Sequence, residues 1–396
     1  MKLSLTQKTQ LLTPAAQQLF AVLCPAGEMR IVGGAVRDVL MNRPIGDIDF
    51  ATTLPPEHVM KILAQQNIKT VPTGLAHGTI TAVLDKIGYE ITTLRRDVVT
   101  DGRHAQIAFT DNWREDAARR DFTFNALYVD AEGQLYDYFD GQKDAASGYV
   151  RFIGQATARI HEDVLRILRF FRFHAWFGQG APDAAALKAC HDNAHLIPRL
   201  SAERVAKEIL KLLAAENPLP SWTLMLECGV LEFFAPEADD TKRLQNLLWT
   251  EKQYQGKTDS LTRLAALLPQ DETAAAVLAK RLKFSSRDSE TLSLLANAPH
   301  QLEIMPFRAA LYALGATICR AAIFLRGENI LESLTTLAAW ENPIFPIKGE
   351  DLLKQGIPAG ERIGMILRAT EEWWIKGDFH ATRDDCLAYA SQYGKK

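Results

Sequence analysis

Two glycines followed by two aspartates restrict this chain more than any other stretch. Apolar Met29 to Val32 run into Gly33-Gly34, and a short helical segment follows over Ala35 to Met41. Pro44 to Gly46 turn the chain, and Asp47-Ile48-Asp49-Phe50-Ala51 then reads as a strand. Alternate side chains of a strand share a face, so Asp47 and Asp49 are predicted to point one way while Ile48 and Phe50 enter the core. Two carboxylates on one face suit a divalent metal ion. The glycine pair lets backbone N–H groups at Gly34 come close to a phosphate, and Arg37 adds a cation one turn on. A glycine-rich turn beside a surface Asp-x-Asp is the plainer reading of the same residues. Metal carboxylates joined to a phosphate grip are what nucleotidyl transfer needs.

At 396 residues the chain exceeds one small core, and about two to four domains are expected. A net charge of −3 argues against a wholesale polyanion binder but leaves room for local basic surfaces. Cys24, Cys190, Cys228, Cys319 and Cys386 are scattered, without metal-ligand spacing, and read as reduced thiols. No uninterrupted apolar run approaches the ~20 residues that cross a bilayer. Gln7, Lys8, Gln10, Gln17 and Gln18 break any signal-peptide core, so a soluble, cytoplasmic protein is expected.

Residues 5–23 carry apolar side chains at helical spacing and predict one amphipathic helix. Strands are predicted at Arg30–Gly33, Asp47–Ala51, Thr79–Leu84, Tyr89–Leu94, Ala126–Val129 and Leu135–Tyr138, with a helix near Pro56–Gln66. Past about residue 150 the strand signal almost vanishes. The predicted fold class is therefore α+β: an α/β head with a mixed sheet, followed by an all-α remainder. Breaks at Asn217-Pro218-Leu219-Pro220, at Asn297–His300 and at Asn342-Pro343 suggest a head at 1–145, a neck at 146–216, a body at 217–300 and a tail at 301–396.

Glu90 is the one carboxylate in the core of the strand Tyr89–Leu94, where a solvated strand face would also accommodate it. Val98 to Gln106, with Asp101-Gly102-Arg103 at its middle, reads as a polar, mobile loop. In Asp116-Ala117-Ala118-Arg119-Arg120-Asp121-Phe122-Thr123-Phe124-Asn125-Ala126, Arg120 is suited to triphosphate oxygens. Asp121 is suited to a ribose hydroxyl, which would favour NTP over dNTP, and Asn125 could simply lock the turn.

From Arg159 to Arg172, Asp163, Arg166, Arg169 and Arg172 recur every third residue, and after 163 every position between them is apolar. That predicts one polar stripe on an otherwise buried helix, with too few acids nearby to match its arginines. Asp163 to Arg172 spans ~13 Å at ~1.5 Å per residue, about the reach from a nucleobase to its triphosphate. Arg166 would donate to the ring nitrogen of cytosine or adenine while Asp163 accepts from the exocyclic amine; uracil and guanine present a carbonyl there instead. Arg169 and Arg172 would neutralise phosphates. The bland alternative is a helix laced by internal ion pairs.

These stretches resemble known motifs. Gly33 to Thr52 resembles motif A of the nucleotidyltransferase superfamily that includes CCA-adding enzymes and bacterial poly(A) polymerases. Arg119-Arg120-Asp121 and Asp121-Phe122-Thr123-x-Asn125-Ala126 resemble its next motifs, and Glu162-Asp163-x-x-Arg166 is similar to the base-selecting signature of class II CCA-adding enzymes. Leu200-Ser201-Ala202-Glu203-Arg204-Val205-Ala206-Lys207-Glu208 looks like the following motif, read here as an N-cap at Ser201 with structural ion pairs.

The resemblance implies addition of C, C and A from CTP and ATP to the 3′ end of tRNA. Asp47 and Asp49 would hold two Mg²⁺ ions for in-line attack of the 3′-hydroxyl on the α-phosphate, and Gly34, Arg37, Arg120, Arg169 and Arg172 the triphosphate. It makes Glu90 a candidate third carboxylate for the metal or a primer hydroxyl, and the loop at 98–106 the element that switches from cytidine to adenosine. Two short helices with glycine turns, Lys348–Leu353 and Gly356–Gly364, would touch tRNA without reading its sequence, or serve only to pack. The alternatives are a poly(A) polymerase, an enzyme adding A only, and a non-catalytic tRNA- or nucleotide-binding protein. Gly46, where poly(A) polymerases typically carry lysine, speaks against the first.

Overall fold

Proline has no N–H to donate and is welcome only in a helix's first turn, so Pro14 divides the opening segment. Instead of one helix over 5–23 there are two. Ser4 and Gln7 cap α1 (Leu5–Leu11) reciprocally, and the Thr13 hydroxyl caps α2 (Pro14–Leu23) at the Ala16 N–H. This computed structural model describes residues 2–100 and 105–394, with side chains outside 97–106.

The chain then enters the sheet through β1 (Met29–Val32), buried along its length. Gly33 leaves it at φ +78°, a conformation glycine adopts freely, and α3 (Gly34–Leu40) starts at the next residue. β2 (Asp49–Thr52) returns antiparallel to β1, with Val32 opposite Asp49. Because β1 ends at Val32, nothing is left to pair with residues before Asp49. Asp47 therefore stands ahead of the strand, exposed, and not on it; Ile48 and Phe50 are buried as predicted. After α4 (Pro56–Gln65) come β3 (Lys69–Gly74), β4 (Thr79–Leu84) and β5 (Ile87–Thr93). β3 escaped prediction because it is an edge strand, largely exposed and without apolar alternation.

The segment expected as a loop is instead a ribbon, β6 (Arg95–Thr100) against β7 (Ala105–Phe109); the Asp101–His104 part of that expectation lies outside the described residues. Then follow α5 (Trp113–Ala118), β8 (Leu127–Val129), β9 (Leu135–Asp137) and α6 (Gly141–Ser147). The main sheet has the order β3-β4-β5-β2-β1-β8-β9 and is mixed: β2 runs parallel to β5, and the other neighbours are antiparallel.

The predicted helix across 159–172 is interrupted. α7 (Ala156–Glu162) ends, Asp163 is extended at φ −149°, and α8 (Leu165–Phe177) begins afresh. Phenylalanines fasten α8 to the head. The Phe122 ring lies 4.8 Å from that of Phe152 and 5.1 Å from that of Phe173, and it is wholly buried. α9 (Ala184–Asn193), α10 (Ala202–Leu213) and α11 (Leu219–Glu227) complete the first of two compact units, Met1–Pro236.

The second unit, Glu237–Lys396, is helical throughout: α12 (Thr241–Gln253), α13 (Ser260–Leu267), α14 (Glu272–Arg281), α15 (Ser286–Ile304), α16 (Phe307–Arg326), α17 (Ile330–Ala338), α18 (Gly349–Lys354), α19 (Glu361–Lys376) and α20 (Arg383–Tyr393). Pro299, expected to end a helix, lies within α15, which runs on to Ile304. α16 has the length and apolar composition of a membrane span, but it carries Arg308, Arg320 and Arg326 and breaks at Gly315 (φ 81°). Of the two short helices expected near the end, α18 is short, whereas α19 extends over 16 residues.

Phe122→Ala should cost about 3–5 kcal/mol through loss of burial and the cavity left behind. Urea unfolding checks it, and a cost under about 1 kcal/mol would contradict this account of the joint.

Candidate active site

A cleft of about 520 Å³ opens where β1 passes into α3. Its floor is Asp49 at the start of β2, with Gly33 and Gly34 to one side and Glu90 of β5 to the other. Phe50 pairs with Ile91 in the parallel register, so Asp49 and Glu90 are neighbours on one face. Burial, then the charges of Glu90 and Asp47, push the Asp49 carboxyl up to about 6, against the pull of Arg120. Asp47 itself is outside the cleft lining, yet close enough for its charge to be felt at Asp49.

One wall is cationic, and each of its guanidiniums is held by the protein. Arg37 donates from Nη1 to Asn125 Oδ1 (2.7 Å) and from Nε to Asp38 (2.9 Å); burial nevertheless lowers its pKa. Asn125 donates to Asp121 Oδ1 (3.0 Å), and Arg169 of α8 donates from Nε to Asp121 Oδ2 (2.7 Å). Burial would raise the Asp121 pKa, but Arg169 and Asn125 hold it below the usual carboxylate value. Arg120 contacts Asp116 at 3.2 Å, Arg119 contacts it at 2.7 Å, and Tyr128 donates its hydroxyl to it at 2.8 Å. Asp116 is 1% exposed; against burial, those two arginines bring its pKa down to about 2.

The predicted site residues Gly34, Arg37, Asp49, Arg120, Asp121, Asp163, Arg166 and Arg169 all line this one cleft. Arg172 does not. It turns to Glu208 of α10 in a largely buried pair outside the cleft lining. The expectation that too few acids match the arginines fails as well: the acids come from far along the chain, Asp121 for Arg169 and Glu208 for Arg172, with Glu162 nearby for Arg166.

Asp163 is not on the helical stripe. It sits at the break before α8, where it accepts the Leu165 N–H (3.1 Å) and both carboxylate oxygens meet Arg204 of α10 (2.9 and 3.2 Å). Arg166 donates to the carbonyls of Arg119 (2.9 Å) and Arg159 (3.0 Å) and to Glu162 (2.7 Å). Ser201 occupies the N-cap of α10 without a side-chain cap bond, and the ion pairs expected of that segment are those of Arg204 and Glu208.

Thr79, Thr92, Arg95 and Arg119 also line the cleft and were not singled out from sequence. The alternation of β4 and β5 carried the signal for the two threonines: Thr79 is opposite Thr92 in the ladder, and Thr92 shares a face with Glu90. Asp47, Asp49 and Glu90 offer hard oxygen donors of the kind magnesium takes. Among the described residues, no three His, Cys, Asp or Glu side chains form a metal cage by themselves. The donor set thus fits an ion held by one or two carboxylates and completed by substrate oxygens.

A mixed sheet that presents carboxylates in an arginine-walled cleft edged by a glycine turn is the head of a nucleotidyltransferase. Residues 29–151 match the family model described as Poly A polymerase head domain, and residues 181–242 that described as Probable RNA and SrmB-binding site of polymerase A. The chain is 36% identical to CCA tRNA nucleotidyltransferase 1, mitochondrial, of Danio rerio over 92% of this chain and 87% of that protein. It is 30% identical to the CCA-adding enzyme of Lactobacillus johnsonii, over 88% and 89%. The fold is that of the Bacillus stearothermophilus CCA-adding enzyme in complex with CTP (TM-score 0.77, 24% identity, 98% of each chain). It is shared by the Thermotoga maritima CCA-adding enzyme complexed with tRNA-CCA (TM-score 0.69, 21% identity, 98% of each). The chain belongs to the CCA tRNA nucleotidyltransferase family, whose class of enzymes works with divalent metal ions.

Asp116→Asn should cost about 3–5 kcal/mol at neutral pH, because two guanidiniums lose their buried counter-charge. A depressed carboxylate stabilises the fold above its unfolded pKa near 4. In the unsubstituted protein, about 2–3 kcal/mol should therefore fade as pH falls from about 4 towards 2, and the substituted protein should lack that slope. Urea midpoints measured across that range test both.

Proposed function

We propose that this protein completes the 3′ end of tRNA by adding C, C and A from CTP and ATP, releasing one pyrophosphate at each addition, with side chains in place of a nucleic-acid template. The observation that carries it is the single cleft holding Asp49, the arginine wall, and the pair Asp163 and Arg166.

The primer's 3′ oxygen bonds to the α-phosphorus as the bond from that phosphorus to the β-phosphate oxygen breaks, so pyrophosphate departs with the electron pair. Asp47 and Asp49 are the residues that would hold two Mg²⁺ ions; when bound, one would lower the pKa of the 3′-hydroxyl and the other would steady the leaving pyrophosphate. Arg37, Arg120 and Arg169, with the Gly34 backbone, neutralise and orient the triphosphate; Arg172, bound to Glu208, leaves that set. Asp121, expected to face the ribose, has its roughly four acceptor sites taken by the Phe122 N–H, Asn125 and two donors of Arg169, so its part is to hold the arginine wall in place.

Asp163 and Arg166 select the base. Arg204 and the Leu165 N–H take three of the roughly four lone-pair sites on the Asp163 carboxylate, which leaves one for the exocyclic amine of cytosine or adenine. Uracil and guanine would set a carbonyl against it, two acceptors with no proton between them. The division into head, neck, body and tail, with tRNA contacts in the tail, and a cytoplasmic location belong to the same reading; the vertebrate relative is named as mitochondrial.

Incubation with tRNAs ending before, within and after CCA, with each NTP alone and together, tests the function by product length. Three added residues requiring both CTP and ATP, and then a stop, are expected; long A tails would overturn it in favour of poly(A) synthesis. Asp49→Asn should abolish transfer while CTP still binds, and retained turnover would refute the metal assignment. Asp163→Ala should shrink discrimination against UTP by about 5- to 150-fold, measured as the ratio of kcat/KM values.

A further inference from the structure

The cleft has two unlike walls, and only one of them has been given work. Across Asp49 from that arginine wall, its lining is Thr79 of β4 and Glu90 and Thr92 of β5, with Arg95 at the start of β6. Glu90 and Thr92 are two residues apart and share a face, and Thr79 is the cross-strand partner of Thr92. The two threonine hydroxyls lie 3.0 Å apart. One hydroxyl spends its proton on the other, so the pair as a unit still offers one donor and spare lone pairs, beside an acceptor-only carboxylate. That set suits an uncharged group that both gives and takes hydrogen bonds, as the vicinal hydroxyls of a ribose do.

In-line displacement requires the attacking oxygen to stand opposite the leaving pyrophosphate. With the triphosphate on the arginine side, the nucleotide being extended has to approach from the threonine side. Resting on the function proposed above, we propose that Thr79, Thr92 and Glu90 seat the terminal ribose of the RNA being extended, with the threonine pair hydrogen-bonding its 2′-hydroxyl. The enzyme thereby recognises an RNA end, and not only an incoming ribonucleotide.

The test compares single-turnover addition to two full-length tRNAs, alike except that one ends in cytidine and the other in 2′-deoxycytidine. The full chain is used unsubstituted and as Thr79→Val, Thr92→Val and both together. The unsubstituted protein should lose about 5- to 30-fold on the deoxy end, the size of one hydrogen-bond partner left unmet. The valine forms should lose a similar factor on the ribose end and little more on the deoxy end. CTP binding without tRNA and the melting temperature should be unchanged.

Equal activity of the valine forms on the ribose end, or full and independent penalties from valine and deoxy end, overturns the seat alone. So does a parallel loss of CTP binding, which would assign the pair to the nucleotide wall. Absence of any transfer by the unsubstituted protein overturns the functional reading and the seat with it. Long A tails would overturn only the first, since the primer ribose is still compared.

Discussion

A single buried carboxylate, Asp121, ties three distant parts of the chain into one site. It accepts from Arg169 on α8 and from Asn125, and Asn125 in turn accepts from Arg37 on α3. Without that chain of charge and amide, the Arg169 guanidinium would lose its buried counter-charge and that of Arg37 its amide acceptor, a cost that largely buried cations do not bear unpaired. The phenylalanines of α8 pack it against Phe122, Phe124 and Phe152, and Asp121 fixes the orientation of that packing. The sheet, the glycine turn and the arginine wall therefore act as one body.

The same logic sets the tension at the floor. Arginines are satisfied internally, whereas Asp49 is crowded by Glu90 and Asp47, so acidic charge is concentrated at one spot and counter-charge is arranged around it without meeting it. A cation at that spot would relieve the crowding, and a polyphosphate would find donors already aimed. Such a site is preorganised for a cation beside a polyphosphate.

Much of this could be read from the residues. The glycine pair, the two aspartates and Arg119 to Asn125 identified the head, and the buried Ile48 and Phe50 fell where alternation placed them. What escaped has physical causes. β3 is an edge strand with no apolar face to announce it. The acids that neutralise Arg169 and Arg172 are 48 and 36 residues away, and no local window contains them. The break at Asp163 was hidden because a three-residue recurrence continues across a helix end as easily as along a helix. Pro299 shows the reverse: a residue that usually ends a helix is carried inside one.

The break at Asp163 bears on how Asp163 and Arg166 would read a base under the proposed function. Had Asp163 and Arg166 shared one helix, their spacing would be fixed as rigidly as two teeth of a comb. Instead Asp163 is moored to α10 by Arg204, while Arg166 is moored to Glu162 at the end of α7 and to the Arg119 carbonyl. Purines carry their pairing edge farther from the sugar than pyrimidines do. On the proposed function, jaws held by separate elements are not locked to one helical spacing, and the two base sizes ask for different spacings.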